Sequence, residues 1–524
     1  MARLLIDAGA NIRATSHLGY TPIRNAVYSG NIELVRLFLD YDADASCEVD
    51  IYGASLLHVA CLQGNHEMTR LLLEMGTAVD QSEHLGGRTP LHIACSVGSR
   101  PIVSTLLESS LCNVNAKTRP EGWTPLYWSV CVGHLEIINL LLNSGKVDVN
   151  AKSDDEGLTP LYYCVSNNTR LDILEKLIEF GADVDSKNGN KEWTCLQNAS
   201  FLGKKSIVCC LCDHRASMEV TDANGQNALT LACEKNHLDV VDLLLSRGAD
   251  ADTIHPSTTC TLLWDAITSE NYNLATILLK HKAEIHCAKK TGNQRGDDDD
   301  DDDDDDTMIG LSLMHYASYK QNLQIMEFLI SNGYDLGRRF EKGNSLLHIM
   351  SAAGYVEGIN VLIAAGMTIQ LENDMKETPL HIACQYDKAD AVKALLLIDA
   401  TGYNHFNKLG HTPLHVAILS STSLDLMISF HEHGANYNEL TADGSTAFHL
   451  LCENIQLSKI LLSSDCNDGA IILKKLMLPN PSSKLHAFYR NKLGRSPLHA
   501  ACTAGNLEII SKYFSHIRMH GSNN

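Results

Sequence analysis

Apolar runs such as IINLLL (137–142) and VVDLLL (240–245) recur along the chain. Each follows a break that pairs Gly with Asn or His, as in SGNIELV (29–35), VGHLEII (132–138) and AGNLEII (504–510). The spacing predicts helices rather than alternating strands. Upstream of each run lies a shorter apolar segment carrying small residues, among them Ala60, Ala94, Ala199, Ala232 and Ala383. That segment opens on Thr or Ser, often followed by Pro. A hydroxyl at the N-cap accepts a backbone N–H, and Pro is pre-shaped for the first helical position. Seven of the twelve prolines stand there, which fixes the start of each unit. A Gly two residues earlier marks a tight turn. Several units close on Gly-Ala-Asp or Gly-Ala-Asn, as at 181–185, 248–252 and 434–438.

Aligned on the opening residue, the units start at Thr21, Ser55, Thr89, Thr124, Thr159, Thr194, Asn227, Thr261, Ser312, Ser345, Thr378, Thr412, Thr446 and Ser496. These are repeats one to fourteen. Eleven of the thirteen separations are 33–35 residues, and the other two carry insertions. One such unit cannot bury two helices alone, so neighbours must stack, and stability becomes a sum of unit and interface terms. Thr-Pro-Leu-His-x-Ala at 89–94, 378–383 and 412–417, with the Gly-Ala-Asp turn, resembles the ankyrin repeat. The resemblance covers about residues 1–520 apart from the insertions. It implies an all-α solenoid of stacked helix-turn-helix units with projecting hairpin loops.

The expected organisation is repeats over 1–288, an acidic insertion at 289–308, repeats over 309–463, a second insertion at 464–490 and a last repeat at 491–524. In the first insertion Asp297 to Asp306 are ten adjacent carboxylates, which repel one another and predict a disordered spacer. In the second, GAIILKKLML could add a turn of helix. At the start, MARLLIDAGANI matches the second helix of a repeat whose first helix is missing. Either this half-repeat is a cap or the chain is a truncated form of a longer protein. No SOCS-box-like tail is seen after the last repeat, which weighs against that class of ubiquitin-ligase receptor.

The formal net charge is −21, and about −11 remains without the aspartate run. An acidic chain repels phosphate, so nucleic acid and anionic membrane are poor expected partners. No apolar run is long enough to predict a transmembrane helix, and the N-terminus does not read as a signal peptide. Seventeen cysteines, mostly at apolar positions, fit a reducing compartment, cytoplasmic or nuclear.

Five His-x-x-Cys pairs invite a metal reading: His58/Cys61, His92/Cys95, His381/Cys384, His449/Cys452 and His499/Cys502. Zinc needs about four ligands, and one pair supplies two. The same His register holds in eight repeats, at His58, His92, His315, His348, His381, His415, His449 and His499. Elsewhere it carries Arg24, Tyr127, Tyr162, Gln197, Thr230 or Trp264. The resemblance implies that this His ties a repeat to its neighbour, while Cys replaces a small buried Ala. Cys210 and Cys212 of CCLC (209–212) read as core in the same way. No metal or other cofactor is expected. No phosphate-binding, nucleophile-elbow or metalloprotease motif appears, and repeated positions make poor catalytic sites, so no enzyme is expected.

Departures from the repeat pattern are the candidate binding residues. Tyr20, Trp123 and Trp193 precede the opening residues of their units. Tyr28, Phe201, Tyr319 and Tyr386 fall near the ends of first helices. Aromatic side chains are frequent interface anchors; alternatively these pack against neighbouring loops. Asp154, Asp155 and Glu156 sit on an extended loop that could meet a basic partner. Asn115 and Asn150 occupy a loop position that asparagine hydroxylases favour in ankyrin proteins, or they simply stabilise the turn. The expected function is a monomeric, non-catalytic scaffold or adaptor holding protein partners on a concave face. The alternatives are a fragment of a multidomain protein (channel, signalling enzyme or ubiquitin-ligase receptor) and, more remotely, a metal-binding protein.

Overall fold

The computed structural model describes all residues except 42, 44–49, 168–169, 287–311, 400–401, 403, 421–422, 464–466, 478–488 and 513–524. The aspartate run and much of the second insertion therefore lie outside the described residues. The described chain is helical, with two isolated bridges and no strand among those residues. Each of repeats one to thirteen is a helix pair, for example Pro125–Val132 with Leu135–Asn143 and Pro379–Gln385 with Ala389–Ile398. The short helix Ala2–Asp7 precedes the first pair. Two compact units are formed: Met1–Thr258 with Asn273–Ala283, and Thr259–Tyr272 with Glu284–Asn524.

Local chemistry sets the pairs. Thr124, Thr159 and Thr194 have extended φ/ψ, and their hydroxyls accept the N–H three residues on. Pro125 and Pro160 then open the helices without wasting a donor. Gly133 ends Pro125–Val132 at φ +85°, which a side chain would strain. Each second helix buries one apolar stripe, such as Ile137, Ile138, Leu141 and Leu142. First helices stack on those of adjacent repeats, Pro90–Val97 lying between Leu56–Leu62 and Pro125–Val132. Ala60, Ala94, Ala199, Ala232 and Ala383 are fully buried there, where a larger side chain would separate the helices.

Two kinds of hydrogen bond tie neighbouring repeats. The first is the repeated histidine. The Thr378 N–H donates to His381 Nδ1 at 3.1 Å, so that nitrogen is unprotonated and Nε2 carries the hydrogen. Nε2 donates to the His411 carbonyl of the next repeat at 3.1 Å. His58, His92, His348, His415 and His449 repeat the arrangement toward Arg88, Trp123, Glu377, Glu439 and Arg495. Burial pushes His92, His348, His381 and His415 down to about 4, so they stay neutral. Both ring nitrogens of these histidines are spent. Their partners Cys61 and Cys95 are buried, and desolvation lifts both thiols to about 12; Cys384 and Cys452 are raised likewise. Four of the five His-x-x-Cys pairs are thus inter-repeat ties beside small core residues; in the fifth, in the last repeat, Cys502 is exposed rather than buried, and His499 Nδ1 accepts from the Ser496 N–H of its own repeat.

The second tie joins the loop tips. Arg119 N–H donates to Gly86 O, and Asp154 N–H to Glu121 O, each at 2.8 Å. In the second unit Asp374 reaches Lys342 and Lys408 reaches Met375. Gly122, at φ +71°, belongs to such a tip: a Cβ there would run into the Asp154 carboxylate. Asn115 and Asn150 extend the tie. Asn150 Nδ2 donates to Gly181 O at 3.2 Å while its Oδ1 accepts from Asp183 N–H at 2.8 Å. Asn115 does the same toward Lys146 O and Asp148 N–H. The second insertion forms a longer helix than the turn its sequence suggests. Asn467–Met477 buries Ile472, Leu473, Leu476 and Met477 and packs beside Leu424–Glu432 and Ile455–Leu462.

Candidate functional site

Three successive repeats begin GWTPLYWSV (122–130), GLTPLYYCV (157–165) and EWTCLQNASF (192–201). In the first two, Tyr127 and Tyr162 replace the tying histidine. Neither tyrosine hydroxyl takes the N-cap N–H as the imidazole does, and the tie changes: Thr159 N–H donates to Asn188 Oδ1 of the following loop at 2.8 Å. In repeat six Gln197 copies the histidine, with Oε1 accepting from Thr194 N–H and Nε2 donating to Gln226 O.

The tyrosines join a band of rings. Trp123 is held through its backbone, its N–H on Thr118 Oγ1 and its carbonyl on His92 Nε2, each at 3.0 Å. Its half-buried ring stacks on Tyr127, with centroids 5.2 Å apart, and meets Trp128 edge-on at 5.3 Å. Tyr127 contacts Tyr163 at 5.2 Å across the repeat boundary. Further along, Trp193 packs on Phe201 at 4.9 Å, and Lys191 places its ammonium 4.3 Å from the Trp193 ring centre. Trp123, Tyr127, Tyr162, Tyr163 and Trp193 line one open cavity of about 540 Å³, bordered by Asp155, Glu156 and Lys191.

The electrostatics of the cavity are split. Burial keeps the phenols protonated, lifting Tyr162 and Tyr163 to about 12. For Asp155 slight burial opposes ionisation, but hydrogen bonds, first from the Ser153 hydroxyl and then from nearby backbone N–H groups, hold its carboxyl below the usual range. The Trp123 indole N–H lies toward Asp155 outside hydrogen-bonding geometry and is buried without another acceptor. Asp154 pairs with Lys117 at 2.6 Å. Among the described residues neither Asp155 nor Glu156 has a Lys or Arg partner.

Of the residues singled out by sequence, Trp123 and Trp193 line this cavity and Phe201 backs it. Trp193 is only 6% exposed, and its Nε1 donates to Asp222 Oδ2 at 2.9 Å, so part of its work is to fasten the next loop. Tyr20 and Tyr28 belong to repeat one, away from this group. Tyr20 lies beneath Arg24, whose guanidinium is 3.6 Å from the ring centre and pairs with Asp50, while Tyr28 is exposed. Tyr319 and Tyr386 are exposed ends of first helices in the second unit. Sequence reasoning passed over Tyr127, Trp128, Tyr162 and Tyr163. The available signal was two consecutive repeats with an aromatic pair, Tyr-Trp and Tyr-Tyr, at the histidine register.

The family model for ankyrin repeats in three copies matches this chain in overlapping windows spanning 1–289 and 313–438. A palmitoyltransferase of Lachancea kluyveri is 28% identical over 200 residues, 37% of this chain and 25% of the relative. The mouse ankyrin repeat and SOCS box protein 11 is 31% identical over 169 residues, 32% of this chain and 48% of the relative. A human transient receptor potential cation channel, subfamily A member 1, is 24% identical over 256 residues, 48% of this chain and 21% of the channel. The chain therefore spans a half or less of these curated relatives. Among solved structures, the ankyrin repeat domain of Bcl-3 aligns over 44% of this chain and 99% of its own, at 26% identity and a TM-score of 0.40. No helix among the described residues is long and apolar enough to cross a membrane.

Proposed function

Because the chain belongs to the ankyrin repeat family, we propose that it is a protein-interaction scaffold that holds a partner in the aromatic groove of repeats four to six. Ankyrin arrays generally bind proteins and are mostly non-catalytic. The observation that carries the reading is the convergence of Trp123, Tyr127, Tyr163 and Trp193 on one open cavity of repeats four to six, where Tyr127 and Tyr162 stand in place of the tying histidine. Large rings with few rotatable bonds bind at low entropic cost. The partner, in this reading, is a protein segment laid along the groove in a reducing compartment.

The test is affinity purification with quantitative mass spectrometry from cells expressing wild type or Trp123→Ala/Tyr163→Ala, after circular dichroism shows both folded. Loss of a defined set of partners in the double variant supports the groove; identical sets remove it. A second reading treats the array as the binding segment of a longer polypeptide, and the small share of the palmitoyltransferase and the channel that it spans favours it. Immunoblotting the endogenous protein decides: a mass well above 57.5 kDa supports the longer form.

A further inference from the structure

The chemistry of the groove narrows what it can hold. Ring faces are electron-rich and attract cations. The groove already accepts one: Lys191 of the chain itself rests 4.3 Å from the centre of Trp193 and 5.5 Å from that of Phe201, and Lys235 lies 4.9 Å from Phe201. The Trp193 end is thus served by the protein's own ammonium groups. The other end has Trp123 and Tyr163, each half-buried, with Asp155 and Glu156 at the rim; Trp128 lies behind, edge-on to Trp123 and outside the cavity lining. No Lys or Arg among the described residues pairs with those two carboxylates. Half-exposed rings beside two carboxylates with no cationic partner favour a positive charge supplied from outside.

We propose that the Trp123–Tyr163 end of the groove receives the side chain of a mono- or dimethylated lysine from the partner. The proposal rests on the reading that a protein segment occupies this groove. A purely apolar anchor would leave Asp155 and Glu156 beside low-dielectric surface without a cationic partner. An unmodified ammonium satisfies the charge but loses three strong water contacts on entering among rings. Each methyl group replaces one of those contacts with surface that packs on an indole or phenol face. One or two remaining N–H groups donate to Asp155 or Glu156, which a trimethylated nitrogen cannot do. Both carboxylates repel phosphorylated or acidic segments.

The chain has four tryptophans, Trp123, Trp128, Trp193 and Trp264, so 5-fluorotryptophan labelling gives four fluorine resonances, assigned by single Trp→Phe variants. The probes are identical short peptides with one central lysine bearing zero to three methyl groups, and a norleucine control. The expected result is a saturable shift of the Trp123 resonance, with Trp264 unmoved. Mono- and dimethyl-lysine should bind about tenfold more tightly than lysine or norleucine. Asp155→Asn/Glu156→Gln, both on the exposed rim, should erase the advantage over trimethyl-lysine while leaving the circular dichroism of the free protein and its Trp264 resonance unchanged. An unmoved Trp123 resonance, or equal binding of norleucine and dimethyl-lysine, overturns the proposal. If the purified partners are still lost in Trp123→Ala/Tyr163→Ala while no methylated peptide moves Trp123, the ammonium proposal fails and the scaffold reading stands. If the double variant retains every partner, the groove reading itself fails.

Discussion

In repeats eleven and twelve the third residue after the opening Thr is His381 or His415; in repeats four and five it is Tyr127 or Tyr162. The histidines close a bond in each direction, to their own N-cap N–H and to a carbonyl of the next repeat. The tyrosines close neither with their side chains. The Tyr127 ring meets Trp123 and Tyr163, and both tyrosines help line a cavity. One register position can therefore hold the array together or build a surface. Repeats four and five keep their seat by other means: the Thr159 to Asn188 bond, the loop-tip ladder and the Asn115 and Asn150 bridges.

This contrast breaks most readily with acid. In the unfolded chain histidine titrates near 6.5, whereas His92, His348, His381 and His415 are pushed down to about 4 by burial. Between those values the unfolded chain binds more protons. The stability these residues supply is complete above about pH 6.5 and is lost as pH falls toward 4, at roughly 2–3 kcal/mol for each histidine. Thermal melts from pH 7.5 to 4 should fall steeply over that interval. Hydrogen-exchange protection should drop first at the Thr378 and Thr412 amides and last at Thr159, which has no histidine acceptor.

A single cut comes next. His381→Ala strands the Thr378 N–H and the His411 carbonyl and opens a cavity, at a cost of about 2–4 kcal/mol in urea denaturation. Tyr162→His sharpens the contrast from the other side. It offers repeat five the missing tie, so stability should stay within about 1 kcal/mol of wild type, while partner capture through the groove falls. Retained capture would make Tyr162 a packing residue only. The smallest effect is expected from Trp193→Phe, which removes the bond to Asp222 and costs about 1 kcal/mol, with partner binding reduced less than by Trp123→Ala.

The repeats were legible because their determinants are local. A Thr, a Pro and a Gly at fixed offsets dictate a cap, a helix start and a turn wherever they recur. The histidine ties could be anticipated from family resemblance, and the hydrogen bonds show how both nitrogens are used. The groove was only partly legible. Trp123 stood out because it interrupts a turn position, but its cavity depends on Tyr163, 40 residues on in sequence and on the adjacent helix. Trp193 stood out for the same reason, yet its indole is fastened by Asp222, a partner 29 residues away that no local pattern indicates. The helix Asn467–Met477 exceeded its expected turn because two neighbouring second helices give its apolar stripe a place to bury. Its sequence alone does not reveal that surface.

The reach of the histidine tie has a consequence for how such a chain can change over generations. Each bond spans one boundary, from an imidazole to a carbonyl about one repeat further on, and involves no third repeat. Copying or deleting a whole unit of the histidine type restores every bond at the new junction, so length can drift by whole units without redesign. Repeats four and five lack that freedom. Their rings meet across one particular boundary, and a copy placed between them would part Tyr127 from Tyr163. The units that hold the array are interchangeable parts, and the units that build the groove are a matched pair.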